Sequence, residues 1–90
     1  MPKFIIERDF PGVGDLSREQ LQSISQKSCA AVEALGSQIQ WIQSYVTDHK
    51  IYCVFIAPDA DIVRKHAEHC GIPADSVRAV QTMLDPTTSE

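Results

Sequence analysis

The residues best suited to metal chemistry lie close together in the segment KHAEHCG, residues 65–71, near the end of a predicted helix. His66, His69 and Cys70 are spaced by three and four residues, which places their side chains over one helical face. Imidazole nitrogen and thiolate sulfur are good ligands for nickel, zinc, cobalt and copper. The spacing predicts that this helix supplies two or three ligands to a transition metal, and that further ligands come from elsewhere.

His49 in a predicted turn is a candidate for such a further ligand, as are Asp48 beside it and donors from a second copy of the chain. The helix residues also have structural explanations. His66 lies on an apolar stripe and fits a core histidine bonded to a tyrosine or a backbone carbonyl. His69 can be explained as an exposed histidine whose positive form suits the C-terminal end of the helix dipole. Cys70 can be explained as a buried residue beside the helix cap. Spacing alone leaves both interpretations open.

The sequence favours binding over catalysis, and we predict no catalytic residues. It contains no Ser/His/Asp constellation, Walker loop or dinucleotide fingerprint. The glycines of Pro11–Gly14 are too few and wrongly placed to cradle a phosphate. One enzymatic alternative is acid–base chemistry without a cofactor, in a cleft between helices and sheet lined by Glu7, Cys53 and His66. A module that binds a small molecule in the same cleft is the other alternative.

The element that positions these residues is a predicted β-hairpin over Gln38–Pro58, QIQWIQSYVTDHKIYCVFIAP. Its strands, Ile39–Thr47 and Ile51–Ala57, are rich in the β-branched and aromatic residues that fit a pleated, packed surface. The polar pair Asp48-His49 between them predicts a two-residue turn. A turn of this length also fixes which residues lie opposite one another.

Both faces of the hairpin are largely apolar. In the predicted register Ser44 lies opposite Cys53, and Trp41 lies opposite Ile56. The residues of the two faces are Ile42, Ser44, Val46, Ile51, Cys53 and Phe55 on one, and Trp41, Gln43, Tyr45, Tyr52, Val54 and Ile56 on the other. We assign the smaller first face to the helices. The second face, which includes Tyr45, is expected to meet a partner or an apolar ligand, and predicts a homodimer packed through its sheet faces.

The remaining elements complete a β-α-β-β-α-β order. A strand is predicted at Lys3–Arg8 from its apolar run. Ser76–Leu84 fits either a helix or a strand, and we favour the strand because it completes the split β-α-β unit and covers an edge of the first strand. One helix begins at Ser17, which forms a capping box with Gln20, and stops at Gly36; the other begins at Asp59 and ends at Gly71, Ile72 and Pro73. This order predicts a ferredoxin-like α+β sandwich, an antiparallel sheet with two helices on one face. We expect one domain over residues 1–84 and a polar tail over 85–90.

Composition limits the classes of function. The chain has 90 residues and a net charge of −4, which argues against nucleic-acid binding because such proteins usually present a basic face. No apolar segment approaches the ~20 residues that span a bilayer, so we expect no membrane insertion. The three cysteines are widely spaced and include no C-x-x-C pair, which favours reduced thiols and a cytoplasmic location.

Nearly the whole chain resembles a family of small bacterial proteins long catalogued as a domain of unknown function. One actinobacterial member of that family is described as a nickel-binding, nickel-responsive protein. The stretches that carry the resemblance are KFIIERDFPG (3–12), QKSC (26–29), QIQWIQSYVTDHKIYCVFIAPD (38–59), KHAEHCGIPA (65–74) and LDPTT (84–88). The resemblance implies a ferredoxin-like dimer that binds nickel at its surface, with a role in sequestration or detoxification.

The resemblance also bears on single residues. The family pattern is matched at Glu7-Arg8, Tyr45, Cys53 and His66. From this match we take Glu7, Tyr45 and Cys53 as candidate ligand-binding residues and His66 as a candidate metal ligand. The chain departs from the pattern at His49, His69 and Cys70, where the family more often has an acidic or amide residue, Arg and Gly. These three are either additional ligands or incidental residues.

Overall fold

The computed structural model describes residues 1–72 and 74–90, and within them the chain forms four antiparallel strands and two α-helices. The strands are β1 Lys3–Asp9, β2 Gln40–Val46, β3 Lys50–Ile56 and β4 Ser76–Ala79, and the helices are α1 Arg18–Ala34 and α2 Ala60–Cys70. The order of strands across the sheet is β2-β3-β1-β4. The predicted α+β class is confirmed, and this order is compatible with the predicted ferredoxin-like arrangement.

Local capping signals place both helices as predicted. The Ser17 hydroxyl accepts from the Gln20 amide at 3.1 Å, and the Gln20 side chain accepts from the Ser17 amide at 2.9 Å. Asp59 caps α2 by accepting from the Ile62 amide at 3.0 Å. Gly71 ends α2 in the left-handed region, with φ of 72°. Pro73, which we also expected to end this helix, lies outside the described residues.

The apolar core lies between the helices and one face of the sheet, which we call the inner face. The inner face carries Phe4, Ile6, Arg8, Ile51, Cys53 and Phe55, all of them buried. Val63 and Ala67 of α2 and Ala31 of α1 are buried against it. The outer face carries the alternate residues Ile5, Glu7, Tyr45, Tyr52, Val54 and Ile56, which are half-buried or exposed. The prediction that the Cys53 face meets the helices is confirmed for Ile51, Cys53 and Phe55, whereas Ile42 and Val46, predicted on the same face, are 41% and 45% exposed.

A bulge in β2 changes the predicted register at one end of the hairpin. Pairing agrees with the prediction from Val46↔Ile51 to Gln43↔Val54, but the register shifts between Trp41 and Gln43. Trp41 therefore pairs with Phe55 instead of Ile56, and its indole nitrogen donates to the Ser44 hydroxyl at 3.0 Å. The prediction that Trp41 shares the outer face with Tyr45 was wrong, because one extra residue reverses the alternation of side chains beyond it.

Strand β4 is shorter than predicted and ends at Ala79 instead of Leu84. The Val80 amide still donates to the Lys3 carbonyl at 2.8 Å, one residue beyond the end of the strand. Residues 81–90 are exposed, and Pro86–Ser89 form a short 3-10 turn.

Gly14 lies against the turn of the hairpin, where there is no room for a side chain. Its amide donates to the Asp48 carbonyl at 3.0 Å, and a Cβ at this position would lie 2.9 Å from both the Asp48 Cα and the Thr47 carbonyl oxygen. We expect Gly14→Ala to lower the free energy of unfolding by about 1–3 kcal/mol in urea denaturation, because backbone atoms must move apart. The exposed neighbour provides a control: Asp15→Ala should stay within about 0.5 kcal/mol. An equal loss in both variants would contradict this role for Gly14.

Candidate functional site

The buried pair His66 and Cys70 lies one turn apart on α2. The Cys70 Sγ is 3.7 Å from both ring nitrogens of His66, and the imidazole is only 1% exposed. Its ring centroid lies 4.6 Å from that of Phe55. The His66 Nε2 is 3.2 Å from the Ser28 carbonyl oxygen and 3.3 Å from the Ser28 hydroxyl; a proton on Nε2 suits the carbonyl, which can only accept. His66 therefore has the contacts expected of a core histidine bonded to a backbone carbonyl.

Burial controls the protonation of both side chains. It lowers the pKa of His66 from 6.5 to about 4; the contact with the Ser28 carbonyl opposes this shift and the charge of Arg8 adds to it. Burial also raises the pKa of the Cys70 thiol, although the Arg8 guanidinium acts in the opposite direction. At neutral pH the pair consists of a neutral imidazole and a neutral thiol. A metal would have to displace the thiol proton before Cys70 could bind it.

Arg8 is a buried charged residue next to this pair that the sequence analysis did not select. Its side chain is 3% exposed, its Nη1 donates to the Ile72 carbonyl at 3.2 Å, and its buried Nε has no hydrogen-bond partner among the described residues. The ion pairs found between described residues do not include Arg8. A positive charge held here opposes the binding of a divalent cation to Cys70 and His66. The interior pair therefore does not fit a nickel ion.

The other two predicted metal ligands lie on the surface. His69 is exposed in the last turn of α2. His49 is exposed in the hairpin turn, and its Nδ1 accepts a hydrogen bond from the Gly12 amide at 3.0 Å. That bond uses the one lone pair of the neutral ring, so a metal would have to replace it. Over residues 1–72 and 74–90 there is no group of three or more His, Cys, Asp or Glu residues that could hold a metal ion.

The three predicted ligand-binding residues fall on opposite faces of the sheet. Glu7 and Tyr45 both pair with Tyr52, from its two sides, and form a row across the outer face. The Glu7 carboxylate forms an ion pair with the Lys50 ammonium, with 2.5 Å between Oε1 and Nζ. Its hydrogen bond is the main cause of the raised pKa of Lys50. Cys53 lies on the inner face. The prediction that Glu7 lines a cleft with Cys53 and His66 is therefore wrong, because the alternation of side chains along β1 points Glu7 away from the helices.

A cavity of about 160 Å³ lies between α1 and the inner face, and we call it the Arg8 cavity. Its deep end is formed by buried side chains with polar atoms, those of Arg8, Ser28, Cys53 and Cys70. Its mouth lies between α1 and β2. The other lining residues are Leu21, Ile24, Ser25, Trp41, Ser44, Val46, Ile51 and Ile72. The structure thus brings two of the predicted site residues, Cys53 of β3 and Cys70 of α2, to one cavity. Arg8 of β1 lines the same cavity.

A signal for Arg8 is present in the sequence. In Lys3–Asp9 the side chains of Phe4, Ile6 and Arg8 alternate onto one face, and the first two are bulky and apolar. Once Phe4 and Ile6 are assigned to the core, Arg8 is assigned to it as well. The sequence analysis considered Glu7 as the inward residue, and the pairing with β3 shows the reverse.

Comparison with known proteins adds a family match. Residues 4–80 match the sequence model of the family described as nickel responsive protein SCO4226-like. The crystal structure of SCO4226 from Streptomyces coelicolor A3(2) is similar to this chain with a TM-score of 0.76 and 21% sequence identity, over 91% of this chain and 99% of that one. At this identity the likeness shows a shared fold. No curated protein sequence matches the chain. In the part of the chain that the structure describes, no helix is long and apolar enough to cross a membrane.

Proposed function

Because the chain belongs to the family of SCO4226-like nickel-responsive proteins, we propose that it binds nickel and serves in sequestering the metal or responding to it. The observation that carries this proposal is the family match over residues 4–80. Zinc, cobalt and copper compete for the same imidazole and thiol donors, since affinity for these metals depends on the same ligand types. The free cysteines support action in the reducing cytoplasm. The net charge of −4 supports a role without nucleic acid.

Nickel is proposed to bind at the surface. His69 is the first ligand because its exposed ring is accessible without opening the core. His49 is the second, and it must exchange its hydrogen bond from Gly12 for the metal. Two imidazoles are fewer than the four or more donors that a tightly bound transition metal normally uses. We therefore place the remaining ligands on a second copy of the chain and exclude the interior pair His66 and Cys70, which lies beside the charge of Arg8.

A homodimer through the outer faces is part of the proposal. Ile5 is 43% exposed and Tyr45 is 56% exposed on this face, and between them lie the half-buried side chains of Tyr52 and Val54. A contiguous apolar surface on a small protein is typical of a protein–protein contact. Pairing two such faces would remove these side chains from water.

Calorimetric titration with Ni²⁺ tests the site. We expect stoichiometric binding at neutral pH, weakened at least about tenfold in His69→Gln, because one charged-metal contact of even modest strength contributes ~1.4 kcal/mol. Cys70→Ser is the matched control from the same helix turn, and it should keep its affinity within about threefold because Cys70 is buried beside Arg8. Zn²⁺ titrated in parallel measures selectivity.

Two outcomes would contradict the proposal. The first is an affinity for Ni²⁺ no tighter than about millimolar, which corresponds to ~4 kcal/mol and is the level of incidental surface histidines. The second concerns assembly: sedimentation of the protein as a 10.0 kDa monomer at micromolar concentration, with and without Ni²⁺, would remove the second chain that the site needs. An unchanged affinity in His69→Gln together with a loss in Cys70→Ser would move the site to the interior pair.

A further inference from the structure

The Arg8 cavity holds a positive charge that the described residues do not neutralise. Buried charges in proteins are normally paired, because an isolated charge in an apolar interior is strongly unfavourable. Arg8 is 3% exposed; its Nη1 donates to the Ile72 carbonyl, and its buried Nε has no partner among the described residues.

We propose that this cavity is a binding site for a small monocarboxylate, with Arg8 holding the carboxylate and the apolar walls holding the hydrocarbon body. A planar guanidinium presents paired N–H donors that match the two oxygens of a carboxylate. Ser28 adds a buried hydroxyl at the same end of the cavity. This site is separate from the proposed nickel ligands His49 and His69, and it does not depend on a metal.

The walls determine the rest of the ligand. Apart from Arg8 and the serines and cysteines, the cavity is lined by apolar side chains, those of Leu21, Ile24, Trp41, Val46, Ile51 and Ile72. An unbranched alkyl chain or a small ring can pack against these residues, whereas a second charged group would be buried without a partner. A dianion such as phosphate would exceed the single charge of Arg8. The chemistry therefore selects one negative charge attached to an apolar body.

Size and access set the length of that body. The volume of about 160 Å³ is close to the roughly 150 Å³ of an engineered apolar cavity that binds benzene. A ligand of about eight non-hydrogen atoms, such as hexanoate, matches this space. The mouth lies beside Ser25 and Val46, which are exposed, and leads inward to the buried Arg8 and Cys53. A carboxylate entering first would place its charge at Arg8 and its chain toward the mouth.

Trp41 provides the measurement, since it is the single tryptophan of the chain and lines the cavity. We expect hexanoate, titrated at neutral pH with EDTA present, to change the tryptophan fluorescence saturably. Hexanamide has the same chain and no charge, and should bind at least about tenfold more weakly because a charge-assisted hydrogen bond is about twice as strong as a neutral one. EDTA separates this result from nickel binding, so either proposal can fail without the other.

Two arginine variants test whether Arg8 is the residue that holds the carboxylate. Arg8→Met replaces the charge with an apolar side chain of similar length, and should lower hexanoate affinity at least about tenfold. Arg64→Met is the control, because Arg64 is exposed on α2 and pairs with Asp61 at 3.4 Å, away from the cavity lining. Circular dichroism shows whether Arg8→Met is folded; if it is not, the comparison of hexanoate with hexanamide on the natural protein decides. Equal binding of the two ligands, retained hexanoate binding in folded Arg8→Met, or no response to hexanoate up to about 10 mM each overturns the proposal.

Discussion

Ile6→Ala is expected to lower the free energy of unfolding by about 2–5 kcal/mol. Ile6 is 0% exposed on the inner face and belongs to the core cluster with Phe4 and Phe55. Removing its three outer carbons loses the favourable free energy of transferring them out of water. It also leaves a space that the close-packed neighbours fill only in part. Because a domain of this kind is stable by only about 5–15 kcal/mol, this single change removes a large share of the total.

The adjacent isoleucine is the matched control. Ile5 has the same side chain in the same strand but points to the outer face, where it is 43% exposed. Ile5→Ala should cost no more than about 1 kcal/mol, measured by urea denaturation at one protein concentration. Similar losses for the two variants would show that both faces of β1 are covered alike, and would contradict the division into inner and outer faces.

Acid is expected to destabilise the protein through His66. The pKa of His66 is lowered from 6.5 to about 4 in the folded chain by burial, so between these values the unfolded chain binds the proton and the folded chain does not. The stabilisation is fully present above pH 6.5 and is lost as the pH falls through about 4, for a total of about 3 kcal/mol. About 2 kcal/mol of this is lost by about pH 5, before most carboxylates are protonated.

Urea denaturation between about pH 7 and pH 4.5 measures this loss. His66→Gln keeps a side-chain N–H for the Ser28 carbonyl and removes the titrating ring, so its stability should change much less over the same range. His69→Gln is the control on the exposed side of α2 and should retain most of the loss, because the charge of His69 is the smallest of the causes that lower the pKa of His66. If His69→Gln removes the pH dependence and His66→Gln does not, the assignment to the buried ring is wrong.

Elements defined by local contacts were predictable from the sequence. The capping box of Ser17 and Gln20 joins residues three apart, and Gly71 ends α2 through its own backbone conformation. The burial of Cys53 and the half-buried position of Tyr52 follow from strict alternation along β3. In each case the physical cause lies within one turn or one strand, so the pattern of residues contains it.

Features that depend on tertiary pairing were not predictable in the same way. The bulge at the start of β2 has no signature among apolar neighbours, because Trp41 and Ile42 suit either face. Helical spacing correctly placed His66 and Cys70 together, but spacing could not show that Arg8 of β1 lies beside them. The charge of Arg8 changes what this part of the interior can bind, and only the fold brings that charge to α2.

The bulge in β2 also affects how the sheet can associate. The strand order leaves β2 and β4 as the two edges of the sheet. An edge strand with an unbroken row of N–H and C=O groups is a template for strands of other molecules, and such additions lead to aggregates. The irregularity between Trp41 and Gln43 interrupts that row on β2, and β4 offers only Ser76–Ala79. Both edges are thus poor templates for open-ended growth of the sheet, a protection that this small protein needs because its outer face is apolar.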